Sequence, residues 1–115
     1  MRIAVVADTH LHPYQAHSRI EDGVNNRLQM TIDYIEWAAN TAVERGCKTF
    51  VHLGDVFEDR TRIDVLTWNK GFEQLLEIVE GHKLELIIIT GNHDIADREG
   101  KVLTIDAFES FATVV

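Results

Sequence analysis

Three side chains that can bind a metal ion stand at alternate positions near the N-terminus. They are Asp8, His10 and His12, in the segment VVADTHLHPY at 5–14. Carboxylates and imidazoles are ligands for divalent transition ions, and an apolar stretch before them indicates a strand that would hold them rigidly. Two pairings are open, Asp8 with His10 or His10 with His12, and the segment alone does not choose between them.

Two more polar clusters occur further along the chain, GDVFEDR at 54–60 and GNHD at 91–94. Each begins with a glycine, which suits a sharp turn where the backbone must approach a ligand closely. A mixture of carboxylate, amide oxygen and imidazole favours Mn, Fe or Zn over Ca. A carboxylate such as Asp55 can also bridge two ions.

Each cluster follows a short apolar run that is predicted to be a strand. The runs are IAVVA (3–7), TFVHL (49–53) and LELIIIT (84–90), and TVV (113–115) is a candidate fourth strand. Their β-branched residues are typical of buried parallel strands. The carboxyl ends of adjacent parallel strands meet at one crevice, so we expect the three clusters to be neighbours in space.

Apolar residues at helical spacing predict two helices between these strands. The first covers about 24–45, with Gly46 as its left-handed stop, and the second begins at the N-cap Asp64 and stops at Gly81. A weaker helical stretch is predicted at 102–110. Alternating strands and helices predict an α/β fold, a parallel sheet with flanking helices.

Size and composition limit the class of protein. A chain of 115 residues is one domain at most and is too short for an eight-fold α/β barrel, which needs about 250 residues. No apolar run approaches a membrane span, the N-terminus does not resemble a signal peptide, and a lone Cys47 favours a reducing, cytoplasmic setting. The net charge of -8 argues against a broad basic surface for nucleic acid. Bound divalent ions would still attract a phosphodiester.

The three clusters resemble the first three sequence blocks of the calcineurin-like metallophosphoesterase superfamily: D-x-H at 8–10, GD at 54–55 and GNHD at 91–94. The longer strings DTHL, HLGDVFEDR and GNHD are most similar to its nuclease branch. That branch contains the SbcD-like subunits of double-strand-break repair and phage recombination complexes. The resemblance implies a DNA exonuclease or endonuclease whose usual partner is an ATPase with a long coiled coil.

The resemblance also implies a fold and a set of roles. The chain would form the first half of a four-layer α/β/β/α sandwich and bind two divalent ions, with Mn preferred over Fe, Zn or Mg. Asp8 and His10 would bind the first ion, Asp55 would bridge both, and Asn92 would bind the second. The remaining residues of the third block, His93 and Asp94, would be catalytic: His93 would face the scissile phosphate and Asp94 would orient its ring.

One feature departs from the family pattern. The family completes its site with a later histidine and a Gly-His-x-His block, and this chain has no histidine after His93. We therefore expect residues 1–115 to be a single partial domain, the N-terminal portion. Its site would be incomplete, so that this chain alone could be inactive, and its sheet would expose an apolar face.

Other readings of the sequence remain. The substrate could be a nucleotide or a phosphoprotein, and the chain could be a non-catalytic interaction scaffold; a TatD-like barrel is disfavoured by length. We expect His12 to be a loop residue, His52 to be a neutral core histidine, and Arg60 and Arg62 to face either a phosphate backbone or solvent. Two tryptophans off the apolar helix faces, Trp37 and Trp68, suggest a subunit contact in a homodimer.

Overall fold

The chain folds into a mixed α/β structure. The computed structural model describes residues 1–95 and 105–115, with the backbone alone for His93. Its elements in chain order are β1 (Ile3–Val6), β2 (Ile20–Glu21), β3 (Val24–Asn25), α1 (Asn26–Glu44), β4 (Thr49–His52), α2 (Val65–Glu80), β5 (Glu85–Ile88), a 3₁₀ turn (Asn92–Asp94), a second 3₁₀ turn (Asp106–Ser110) and β6 (Thr113–Val114).

Four parallel strands form the main sheet, in the order β1-β4-β5-β6. The register sets Val6 opposite His52 and His52 opposite Ile88, so the three long strands end level with one another. Because the order advances in one direction, right-handed crossovers place α1 and α2 on the same face. The predicted α/β fold and its fourth strand are confirmed, and the fold is consistent with half of the implied sandwich.

The two faces of the sheet differ in burial. Side chains on the helix side form the core with the apolar stripe predicted for α1: Val6, Phe50, Leu86 and Ile88 from the sheet, and Leu28, Ile32, Ile35, Ala39 and Ala42 from the helix. On the opposite face, Ile3 and Val5 are each 50% exposed. The expected exposed apolar face of the sheet is therefore present.

Helix α1 begins two residues later than predicted. Val24 and Asn25 pair with Ile20 and Glu21 in an antiparallel hairpin, and Asn25 Oδ1 then caps the helix by accepting from the backbone N–H groups of the first turn. The hairpin turn is Asp22–Gly23, with φ of 52° and 79°. An Asp-Gly pair with positive φ at both positions is a favoured hairpin turn, a sequence signal that the helical periodicity obscured.

The predicted stops of the two helices are both present but differ in geometry. Gly46, at φ 75°, ends α1, where the N–H of Cys47 donates to Ala42 O and the N–H of Gly46 to Val43 O. This pair of hydrogen bonds is a Schellman motif. Helix α2 has its predicted cap, with the Asp64 carboxylate accepting from Thr67 N at 3.1 Å. Gly81 ends it in a right-handed conformation, without using the freedom of a glycine.

An aromatic cluster corrects the prediction for Trp68. Its ring stacks on Phe57 and Phe108, with centroids 5.2 and 5.4 Å away, so it packs against the core and is not an exposed contact residue. Gly71 in α2 allows this packing, because a Cβ there would lie 2.9 Å from the Phe57 ring. Sequence spacing could not show this, since Phe57 and Phe108 come from outside the helix.

The third predicted helix lies partly outside the described residues. Of the stretch 102–110, positions 105–110 are described, and Asp106–Ser110 form a 3₁₀ turn that leads within three residues into β6. In the described parts of the chain, no helix combines the length and the apolar character needed to cross a membrane.

Candidate metal centre

The pairing of β1 with β4 continues past the ends of both strands. The N–H of Asp8 donates to Gly54 O at 3.1 Å, and the N–H of His10 donates to Asp55 O at 3.0 Å. A further bond joins Leu11 N to Val56 O at 2.8 Å. These bonds hold the two post-strand segments side by side, which explains how residues 45 positions apart become neighbours.

The pairing brings together three residues predicted to bind metal. Asp8, His10 and Asp55 each offer a ligand atom, and these atoms lie within 4.8 Å of one another. All three residues have positive φ, 54°, 43° and 56°. Non-glycine residues adopt this conformation rarely, and they do so preferentially at functional sites. Two carboxylates and an imidazole form a donor set that fits a divalent transition ion.

The third strand reaches the centre through two glycines. A Cβ on Gly54, whose φ is 103°, would lie 2.6 Å from Gly91 N and 2.7 Å from Ile89 O. A Cβ on Gly91 would overlap Asp55 Oδ1 and lie 2.6 Å from Asp55 N. The two corners therefore pack against each other without side chains, a close approach between backbones where the sequence predicted a close approach to a ligand.

Asp94 is buried beneath these corners. Its Oδ2 accepts from Gly91 N at 2.8 Å and Asp55 N at 2.9 Å, and its Oδ1 accepts from Val56 N at 3.1 Å. Burial raises the pKa of Asp94, and the three backbone N–H groups oppose that rise. The carboxylate thus fixes the backbone that carries Asp55, a role that sequence spacing did not suggest.

The other residues of the third block lie beside the centre. Asn92 is exposed and directly follows Gly91, which packs on Asp55, so its backbone is next to the predicted bridging ligand. Its amide as a ligand stays a prediction. The side chain of His93 lies outside the described part of the structure, so its catalytic role, and the orienting role of Asp94 toward it, also stay predictions.

Glu58 supports His10 and was missed by the sequence reasoning. Its Oε2 lies 2.9 Å from His10 Nδ1 and accepts from the Tyr14 hydroxyl at 3.2 Å. The opposite ring nitrogen, Nε2, lies 3.8 Å from Asp8 Oδ1. A carboxylate on one nitrogen of a histidine commonly fixes the ring so that the other nitrogen binds metal. The available signal was an acidic residue three positions after Asp55.

We expect Glu58→Gln to weaken Mn²⁺ binding roughly ten- to hundred-fold, because a neutral amide supports the His10 ring less strongly than a carboxylate. Isothermal titration with Mn²⁺ would measure the change. Asp59→Asn is the matched control, since Asp59 Oδ2 lies 3.3 Å from His12 Nδ1 instead of His10. Equal affinities for Glu58→Gln and the unmodified chain would exclude a supporting role for Glu58.

The remaining candidates lie away from the ligand group. His12 contacts Asp59 and Tyr14, so the Asp8–His10 pairing is favoured over His10–His12. Arg60 and Arg62 are exposed on the segment after Asp55, which agrees with either expectation for them.

His52 is confirmed as a neutral, hydrogen-bonded core histidine. Its Nδ1 accepts from Gly54 N at 3.1 Å, and its Nε2 lies 3.0 Å from Thr9 Oγ1, whose hydroxyl donates to Val56 O. These partners place the ring proton on Nε2. Burial lowers the pKa of His52 from 6.5 to about 4. The buried ring therefore connects the segment after β1, through Thr9, with the segment after β4, through Gly54.

His52 makes stability depend on pH in a defined window. The unfolded chain takes up a proton near pH 6.5, whereas the folded chain does so only near pH 4. Stability is therefore complete above pH 6.5, and about 3 kcal/mol is lost as pH falls to 4. His52→Asn keeps an acceptor for Gly54 N. In urea unfolding, its loss of stability between pH 6.5 and pH 4 should be about 3 kcal/mol smaller than that of the unmodified chain. Identical pH profiles would contradict this account.

A comparison with protein families adds an independent finding. The family model described as calcineurin-like phosphoesterase matches residues 1–113, which is nearly the whole chain. A search of curated proteins gave no match. The matched region contains all three clusters and the ligand group formed by Asp8, His10 and Asp55.

Proposed function

The chain belongs to the calcineurin-like phosphoesterase family, and on that premise we propose that it is a metal-dependent phosphodiester hydrolase acting on DNA. We assign it to the nuclease subunits of SbcD-like recombination and repair complexes, with a coiled-coil ATPase as partner. Family membership supports a phosphoesterase-type hydrolase in general. The observation that carries the proposal is the convergence of Asp8, His10 and Asp55 within 4.8 Å at the carboxyl edge of the sheet.

In this proposal, each ligand has a defined place. Asp8 and His10 would hold one divalent ion, Asp55 would contribute to both sites, and the amide oxygen of Asn92 would hold the second ion. Members of the family usually bind divalent metals, and Mn²⁺ suits this mixture of oxygen and nitrogen donors. When bound, such ions act as Lewis acids that activate water and stabilise the charge that develops on the phosphate.

The side chains around the ions orient the substrate and move protons. In this proposal, His93 would give a proton to the leaving oxygen. The carboxylate of Asp94 fixes the Gly91 and Asp55 corners, so the ligands are held in place before the substrate arrives. Glu58 performs the same function for the His10 ring.

The charge of the chain is compatible with a phosphodiester substrate. At a net charge of -8 the surface does not attract nucleic acid broadly, so the affinity for phosphate would come from the metal centre itself. Arg60 and Arg62 are exposed on the segment that follows Asp55, and in this proposal they would contact a neighbouring phosphate. Binding of DNA should therefore require Mn²⁺.

A substrate panel tests the proposal. The chain is assayed with Mn²⁺ on linear DNA, bis-p-nitrophenyl phosphate, mononucleotides and a phosphopeptide, with and without a chelator. We expect chelator-sensitive cleavage of DNA and of the small diester. Cleavage of the small diester or of nucleotides without cleavage of DNA would overturn the nuclease assignment. Failure to bind Mn²⁺ at all would instead favour a non-catalytic scaffold.

A further inference from the structure

Helix α1 carries exposed aromatic side chains on the face turned away from the core. Tyr34 and Trp37 stack on each other, with centroids 5.9 Å apart and a tilt of 29°. They are 48% and 61% exposed, and Met30, one turn earlier, is 67% exposed. We call Met30, Tyr34 and Trp37 the aromatic shelf. Trp37 is exposed as the sequence predicted, but a pair of stacked rings in solvent suits a flat aromatic ligand.

The aromatic shelf is continuous with the metal centre. Residues next to the metal centre and residues of the shelf line one groove of about 440 Å³. They are Ala7, Asp8, Thr9, Met30, Thr31 and Tyr34. A second groove of about 350 Å³ starts at Tyr34, includes Trp37 and follows the edge of β1 as far as Arg45. A ligand that reaches Asp8 through the first groove therefore lies against Tyr34.

The charge of the side chains changes along the two grooves, from Asp8 at the metal centre to Arg45 at the far end. Asp8 at the near end belongs to the predicted cation site. At the far end, Arg45 lines the second groove and Arg2 Nη1 donates to Arg45 O at 3.1 Å. The aromatic shelf between them is uncharged. Phosphate-binding character at both ends and ring faces between them match the alternation of phosphate and base in a nucleic acid strand.

We propose that the aromatic shelf binds the bases of a short single-stranded nucleic acid segment next to the scissile phosphate. Tyr34 and Trp37 stack with bases, and Arg2 and Arg45 contact a phosphate further along the strand. The proposal rests on the proposed function for the position of the scissile phosphate at Asp8. Stacking on aromatic side chains tolerates any base, so this surface gives affinity for single strands without sequence preference.

A second copy of the chain is the competing occupant. A self-interface would need a broad apolar patch. Tyr34 and Trp37 instead line grooves that run on to Asp8 at one end and Arg45 at the other. A contact between two copies would also not explain why the groove extends from Tyr34 to Asp8 at the metal centre. These observations favour the nucleic acid.

Fluorescence anisotropy with a labelled short oligothymidylate and an abasic strand of equal length tests the proposal, in Mn²⁺ and with phosphorothioate linkages in both strands to slow cleavage. We expect the unmodified chain to prefer the oligothymidylate. Trp37→Leu should weaken its binding roughly ten-fold, with little change for the abasic strand. Trp37→Phe keeps a ring and should retain most of the affinity. Val43→Ala, an exposed apolar change on the same helix, is the matched control.

The outcomes separate this proposal from the proposed function. Equal binding of both strands by the unmodified chain, or an equal loss on both strands in Trp37→Leu, overturns the aromatic shelf as a base site while leaving hydrolysis open. Preference for the oligothymidylate without any Mn²⁺-dependent hydrolysis supports the shelf and overturns the enzyme. Self-association that Trp37→Leu abolishes, without any base preference, assigns the surface to a second copy and overturns the shelf.

Discussion

Replacing Asp55 with asparagine is expected to weaken Mn²⁺ binding more than about a hundred-fold and to slow phosphodiester hydrolysis about a thousand-fold. Asp55 is the predicted ligand that lies between the Asp8–His10 pair and the Gly91 corner. Asparagine has nearly the same shape and tolerates the positive φ of 56° at this position. The substitution therefore removes charge while leaving the backbone in place.

The matched control for this variant is Asp22→Asn. Asp22 has a similar backbone conformation, with φ of 52°, and lies in the β2–β3 hairpin turn outside the ligand group. We expect it to bind Mn²⁺ and to cleave a small diester like the unmodified chain. If Asp55→Asn also binds Mn²⁺ with unchanged affinity, Asp55 is not a ligand, and an interaction scaffold becomes the better description of the chain.

Gly54→Ala is expected to destabilise the fold by about 3 to 5 kcal/mol, as judged by urea unfolding. The added methyl would lie 2.6 to 2.8 Å from atoms of Gly91 and Ile89, and all of these are backbone atoms. No side chain can rotate away to relieve the overlap, and the φ of 103° is itself unfavourable for alanine. The corner must therefore move, which also displaces Asp55.

Gly46→Ala separates the two causes of this loss. Gly46 also has a positive φ, 75°, but apart from its two chain neighbours no residue has an atom within 4 Å of the position of the added methyl. We expect this variant to lose only about 1 kcal/mol, the cost of a left-handed alanine. Equal losses at Gly54 and Gly46 would show that backbone conformation alone sets the cost and that the close approach to Gly91 contributes nothing.

Much of the candidate site could be predicted because it depends on topology more than on side-chain detail. Parallel strands that end level bring their following segments together, so Asp8, His10 and Asp55 could be placed from strand assignment alone. The glycines at 54 and 91 were identifiable because each directly precedes a predicted ligand, where a sharp turn favours glycine.

The supporting contacts could not be predicted, because they depend on loop conformation. The approach of Glu58 to His10 requires the segment after β4 to run alongside the segment after β1, which only the hydrogen bonds reveal. The prediction for Trp68 was wrong because helical spacing uses only the residues of one helix and does not show what packs against it from elsewhere in the chain. The partners of Trp68, Phe57 and Phe108, lie in irregular segments elsewhere.

The buried carboxylate of Asp94 has a consequence for how the protein matures. It accepts hydrogen bonds from Asp55 N and Val56 N, groups that precede it by 39 and 38 residues in the chain. During synthesis, β1, α1 and β4 leave the ribosome well before this acceptor does. A nascent chain that ends before Asp94 cannot hold the Asp55 segment in its final shape. The hydrogen bonds that fix the Asp55 segment therefore form only after β5 and Asp94 have docked, and we expect the predicted metal ligands to become ordered late in folding.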